Sequence, residues 1–106
     1  VWASWCGPCR YEFPVLGRVS MEDGKGIAFL GVANRDTVSA AQSFLDSHPV
    51  GYPTWNDSDG KISQFLGIAN GLPVTVFFTG AEKSYVHQGP YESVAALQAD
   101  INRYSL

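Results

Sequence analysis

The nine residues Trp2-Ala3-Ser4-Trp5-Cys6-Gly7-Pro8-Cys9-Arg10 constrain this chain more than any other stretch. They hold both of its cysteines, two residues apart, after a run that can end a strand and before one that reads as a helix. A cysteine at the start of a helix faces unpaired backbone N–H groups and the positive end of the helix dipole, and both favour thiolate over thiol. The second cysteine is near enough to close a disulfide with the first. Pro8 suits a first helical turn because it has no N–H to leave unpaired, and Gly7 permits a tight backbone path. Together these residues supply an activated sulfur nucleophile and its resolving partner, the equipment for thiol–disulfide exchange.

Two other readings use the same residues. Half of a zinc site would need two further ligands, and the only candidates, His48 and His87, are far apart and lack ligand-like spacing. A purely structural disulfide would close a loop of two residues and constrain the unfolded chain very little. Asp57 and Asp59 fail the spacing of a calcium loop and read as a turn. Neither histidine is assigned a role.

A length of 106 residues allows one domain, taken as 1–106, and 45% apolar residues are enough to give it a core. The net charge of −3, with no lysine or arginine cluster, argues against nucleic acid as a partner. No apolar run reaches membrane-spanning length, and no signal peptide is visible. The chain opens on Val1 rather than methionine. Val1 to Ser4 reads as the end of a longer strand, so the first strand is expected to be truncated, with an anchor or signal peptide upstream. Such a stub predicts short pairing near Val1 and unpaired edges on its neighbours.

Along the chain, Cys9, Glu12, Phe13, Leu16 and Val19 follow helical spacing, with a kink expected at Pro14. Asp23-Gly24-Lys25-Gly26 reads as a turn. Ile27–Ala33 is a continuous apolar run, the pattern of a strand covered on both faces. Asp36 is a candidate N-cap for a helix carrying Val38, Ala41, Phe44 and Leu45, which ends near His48-Pro49. Gly51–Asn56 reads as extended, Asp57–Gly60 as a turn, and Ile62, Phe65 and Leu66 suggest a short helix stopped at Gly67. Strands are expected at Val74–Phe78 and Ser84–Gln88, and a last helix over Ser93–Tyr104 burying Val94, Leu97 and Ile101. Parallel units followed by a hairpin predict an α/β fold, a central mixed sheet with helices on both faces.

This order, beginning at Trp-Cys-Gly-Pro-Cys, resembles the thioredoxin fold. Gly71-Leu72-Pro73-Val74-Thr75 is similar to that superfamily's cis-proline loop. Within the superfamily, Cys9-Arg10-Tyr11-Glu12-Phe13-Pro14 and the central pattern Asn56-Asp57…Asp59-Gly60-Lys61…Phe65-Leu66-Gly67-Ile68 resemble the TlpA/ResA-type (DsbE-like) proteins of cytochrome c maturation. The region 36–67 carries the helix and insert that lengthen this type relative to thioredoxin. The resemblance implies an extracytoplasmic thiol–disulfide oxidoreductase, whether periplasmic, secreted or membrane-anchored. Its substrate would be a protein disulfide, such as that of apocytochrome c, and a membrane or secreted thiol partner would recharge it. No cofactor is implied beyond the Cys6–Cys9 pair.

Carried over residue by residue, the resemblance makes Cys6 the nucleophile, Cys9 the resolving thiol and Glu12 a proton relay for Cys9. Trp5, Gly7, Pro8, Leu72, Pro73 and Gly89 would form the substrate rim, with a cis bond between Leu72 and Pro73 that leaves the Leu72 backbone free to pair with an extended substrate. The alternatives are a trans proline that merely starts a strand and a solvated surface Glu12. The Gly-Pro dipeptide, shared with thioredoxin, favours the reducing direction. A secreted disulfide-forming oxidase on the same scaffold, and a non-catalytic redox or metal-binding module, remain the rival functions.

Overall fold

A computed structural model describes residues 1–22, 26–68 and 71–106. Helix α1 spans Gly7–Glu22 and continues unbroken through Pro14. Its buried residues, Cys9, Glu12, Phe13, Gly17 and Val19, recur at the spacing of one helical face. The turn expected at Asp23–Gly26 lies, apart from Gly26, outside the described residues.

Strand β1 is Gly31–Asn34, shorter than the apolar run Ile27–Ala33 predicts. The reason lies in its partner. β1 pairs in parallel with β2, Thr54–Asp57, starting at Gly31 opposite Thr54. The residue before Thr54 is Pro53, whose carbonyl accepts from the Gly31 N–H but which has no N–H of its own to extend the ladder.

Between them, helix α2 spans Val38–Ser47. Its N-cap is Thr37, whose side chain accepts from the Ala40 N–H, so the expected cap at Asp36 is displaced by one residue. Ala41 and Phe44 turn inward, whereas Val38, expected on the buried face, is exposed.

Helix α3 is a single short turn, Lys61–Phe65, followed by Gly67 at φ 79°. It buries Ser63, leaves Ile62 and Leu66 half-buried and exposes Phe65 to 89%. β3, Val74–Thr79, and β4, Glu82–Gln88, form an antiparallel hairpin with an irregularity at Phe77/Phe78. Helix α4, Val94–Tyr104, is capped by Ser93 and buries Leu97 and Ile101.

The two ladders meet through Val1 and Trp2. The Trp2 N–H bonds to the Val32 carbonyl at 2.9 Å, and the Asn34 N–H to the Trp2 carbonyl at 2.8 Å. On the other side Val1 and Val74 exchange both backbone bonds, the pattern of an antiparallel pair. The spatial order is therefore β2, β1, Val1–Trp2, β3, β4, a mixed arrangement in which the pairing at Val1–Trp2 is short. Beyond it, Ile27–Leu30 and Thr75–Phe78 line a cavity of about 500 Å3.

Two apolar clusters share α1 as a wall. Trp2, Cys6, Cys9, Phe13, Ala33 and Phe44 belong to the first, and Val19, Phe77, Tyr91, Leu97 and Ile101 form the second, with Leu16 packed against both. Trp2, Phe13 and Phe44 meet pairwise with ring centroids 4.8–4.9 Å apart. This aromatic triangle belongs to the same cluster as the cysteine pair and anchors the entry to α1.

Candidate active site

Cys6 and Cys9 form a disulfide with Cα atoms 5.4 Å apart. Cys6 immediately precedes α1, so its sulfur occupies the place of an N-capping side chain. The Cys9 N–H donates to Cys6 Sγ at 3.2 Å. In the reduced protein the same donor and the helix dipole would favour a thiolate at Cys6. Both cysteines are buried, Cys9 completely and Cys6 to within 5%.

The approach to Cys6 is held by a residue that the sequence reading had placed elsewhere. Asp36 is buried and accepts from the Ser4 N–H at 2.7 Å, the Ser4 hydroxyl at 2.9 Å and the Thr37 N–H at 2.9 Å. It ties the segment before Cys6 to the start of α2. The Cys6 N–H closes the turn on the Ala3 carbonyl at 3.1 Å.

Trp5 stands 61% exposed beside the disulfide, and its indole N–H donates to the Arg35 carbonyl at 3.2 Å. Gly7 and Pro8 are exposed. Opposite them the Leu72–Pro73 bond is cis, Pro73 is buried, and Leu72 packs against the cluster that contains both cysteines. Gly89, at φ 92°, donates its N–H to the Pro73 carbonyl at 2.9 Å and so braces the loop from behind. Its left-handed backbone is one that glycine adopts without a Cβ penalty.

Glu12 is buried, 2% exposed, on the α1 face that carries Cys9 three residues earlier. One carboxyl oxygen accepts from the Tyr91 N–H at 2.9 Å. Burial drives its pKa above the ordinary carboxylate value, partly offset by the Tyr91 amide. The expected residues thus divide into a buried trio, Cys6, Cys9 and Glu12, and a rim of Trp5, Gly7, Pro8 and Leu72, with Pro73 and Gly89 behind it. Asp36 and Arg35 were missed as site residues, because their contacts span about 30 positions of sequence.

Asp57, read as part of a turn, is a buried carboxylate. Burial alone would raise its pKa, but hydrogen bonds from the Ser63 hydroxyl and the Ser63 and Ile62 amides hold it below the ordinary range. Among the described residues no cluster of His, Cys, Asp and Glu is arranged to hold a metal, and no helix is long and apolar enough to cross a membrane.

No family model matches the chain. The thiol:disulfide interchange protein HelX of Rhodobacter capsulatus is 38% identical over 81 residues, covering 76% of this chain and 44% of HelX. The soluble secreted antigen MPT53 of Mycobacterium tuberculosis is 36% identical over 61 residues, 58% of this chain and 35% of the antigen. Among solved structures, a Chlorobium tepidum chain assigned as a thiol:disulfide interchange protein DsbE superposes with a TM-score of 0.83 at 26% identity, covering 96% of this chain and 74% of that one. The chain spans less than half the length of the curated relatives it matches.

Proposed function

This chain belongs to the thioredoxin-like thiol–disulfide oxidoreductases of the TlpA/ResA/DsbE type, and on that premise we propose that it reduces disulfides of extracytoplasmic proteins through Cys6 and Cys9. The observation that carries the proposal is the Cys6 sulfur, set at the head of α1, bonded to the Cys9 N–H and flanked by the Leu72–Pro73 loop.

In the reduced enzyme the Cys6 thiolate attacks one sulfur of a substrate disulfide, forming the mixed disulfide and expelling the other sulfur as thiolate. The Cys9 thiol loses its proton and attacks Cys6 Sγ. The Cys6–Cys9 disulfide forms, and the second substrate sulfur leaves as thiolate. The substrate gains two electrons and the pair loses two, so a dithiol partner must restore them. Glu12, on the buried face with Cys9 and with its pKa raised by burial, is the group we assign to take the Cys9 proton. Leu72 offers its backbone to an extended substrate segment, and Trp5 and Pro8 form the opposite lip.

A site outside the cytoplasm is supported by likeness to an antigen described as secreted. Apocytochrome c, its cysteines oxidised, is the substrate class that the family resemblance suggests. Equilibration of Cys6–Cys9 with glutathione tests the direction. A potential below about −230 mV, toward the thioredoxin value, supports a reductase. A potential near about −120 to −180 mV, where DsbA and protein disulfide isomerase lie, makes the chain an oxidase instead.

A further inference from the structure

Beside the disulfide lies a second cavity, of about 410 Å3, lined among others by Trp5, Arg35, Gly60, Ser63, Gln64 and Leu72. Trp5 immediately precedes the nucleophile and Leu72 immediately precedes Pro73, so a polypeptide crossing the disulfide passes this cavity. Arg35 is the only ionisable residue among the described residues that line it.

Arg35 is also the one described residue other than glycine with positive φ, at 48°. A non-glycine residue adopts this conformation only where its surroundings impose it. Here its N–H donates to the Asp57 carbonyl at 2.8 Å and its carbonyl accepts from the Trp5 indole at 3.2 Å. Its guanidinium lies across Gly60, where a Cβ would come within 2.9 Å of Nε and 3.1 Å of Cζ. The guanidinium thus lies over Gly60, in a cavity that Trp5 also lines.

Among the described residues that cation has no ion pair; the pairs there are Arg18–Glu22 and Lys61–Asp59. Two carboxylates beside it are committed elsewhere: Asp36, its neighbour in sequence, to Ser4 and Thr37, and Asp57, whose backbone carbonyl accepts from the Arg35 N–H, to Ile62 and Ser63. We propose that Arg35 and the cavity beside Trp5 form a subsite that selects protein substrates with an acidic side chain close to the disulfide being exchanged. The inference rests on the redox reading above and names its substrate preference. Guanidinium suits the task because its planar fork meets a carboxylate with two parallel hydrogen bonds.

The test is a set of peptide disulfides, identical except for Glu, Gln or Lys one to three residues from the cysteine. Their kcat/KM values are compared for the wild-type chain, Arg35→Asn and Arg35→Glu. Asparagine tolerates the left-handed backbone, so Arg35→Asn removes the charge while keeping the fold. The wild type is expected to favour Glu over Gln by about three- to tenfold at one or more positions, a preference that shrinks in 0.5 M salt. Arg35→Asn should level the three peptides, and Arg35→Glu should favour Lys. Equal ratios in the wild type and Arg35→Asn, with turnover continuing, overturn the subsite. Absence of exchange with every peptide overturns the redox reading, and the subsite with it.

Discussion

The backbone N–H of Tyr91 donates to the carboxyl of Glu12 at 2.9 Å, joining residues 79 positions apart in the buried interior. The bond fixes one oxygen of a carboxyl whose charged form burial disfavours. A native pKa above the unfolded one means that the folded chain holds the proton to higher pH. Stability therefore falls as pH rises from about 4.5 through the raised native value.

Glu12→Gln keeps an acceptor for Tyr91 and removes the charge. The variant should match the wild type in urea unfolding at pH 4 and be the more stable of the two at pH 8. In stopped-flow exchange, formation of the mixed disulfide should be unchanged and its resolution slowed about ten- to thirtyfold at pH 7. That ceiling is set by the few per cent of thiolate that a thiol of ordinary pKa supplies unaided, so the defect should fade above about pH 9. A resolution rate equal to wild type at pH 7 would remove Glu12 from the proton path.

Asp36→Ala strips acceptors from the Ser4 N–H, the Ser4 hydroxyl and the Thr37 N–H at once. Unfolding in urea should show a loss of about 1–3 kcal/mol, the cost of leaving buried donors unpaired. Trp5 fluorescence should shift with it, because Ser4 positions the indole.

The sign is opposite at Asp57. Its native pKa is depressed, so its contribution is present above the unfolded value of about 3.9 and lost as pH falls through the native one. Asp57→Asn should therefore be clearly destabilised at pH 7, and its deficit relative to the wild type should narrow as pH falls below the unfolded value, as measured by thermal unfolding across that range.

Thr54 Oγ1 is buried with no hydrogen-bond partner among the described residues, and a Cβ at Gly31 would strike it, at 2.5 Å. Thr54→Val replaces the orphaned hydroxyl with a methyl of similar shape. Calorimetry should register a gain of about 1 kcal/mol. A loss would show that the hydroxyl is satisfied in solution.

What the sequence disclosed was local. Cys6 immediately precedes α1, Cys9 and Glu12 lie in its first two turns, and helical spacing puts those two on one face, which the structure buries. The Cys-x-x-Cys and Leu72-Pro73 motifs led to the fold for the same reason: each is a short stretch whose chemistry is written in adjacent residues. The misses involve partners distant in the chain. Ile27–Ala33 looks like a full strand, but Pro53 ends its ladder with β2. A five-residue helix is too short for periodicity to set its phase, so nothing local showed that Phe65 would be exposed. The Asp36 contacts with Ser4, and the bent backbone at Arg35 that accepts from Trp5, join segments that no local pattern relates.

The central claim is that Cys6 attacks and Cys9 resolves. Intact-mass measurement of Cys6→Ser and Cys9→Ser after reaction with a peptide disulfide tests it directly. Cys9→Ser should accumulate one stable adduct, released by added reductant, because only the resolving step is lost, and Cys6→Ser should form none. Stable trapping by Cys6→Ser would reverse the roles, and continued turnover by Cys9→Ser would show that the pair does not work as a resolving couple.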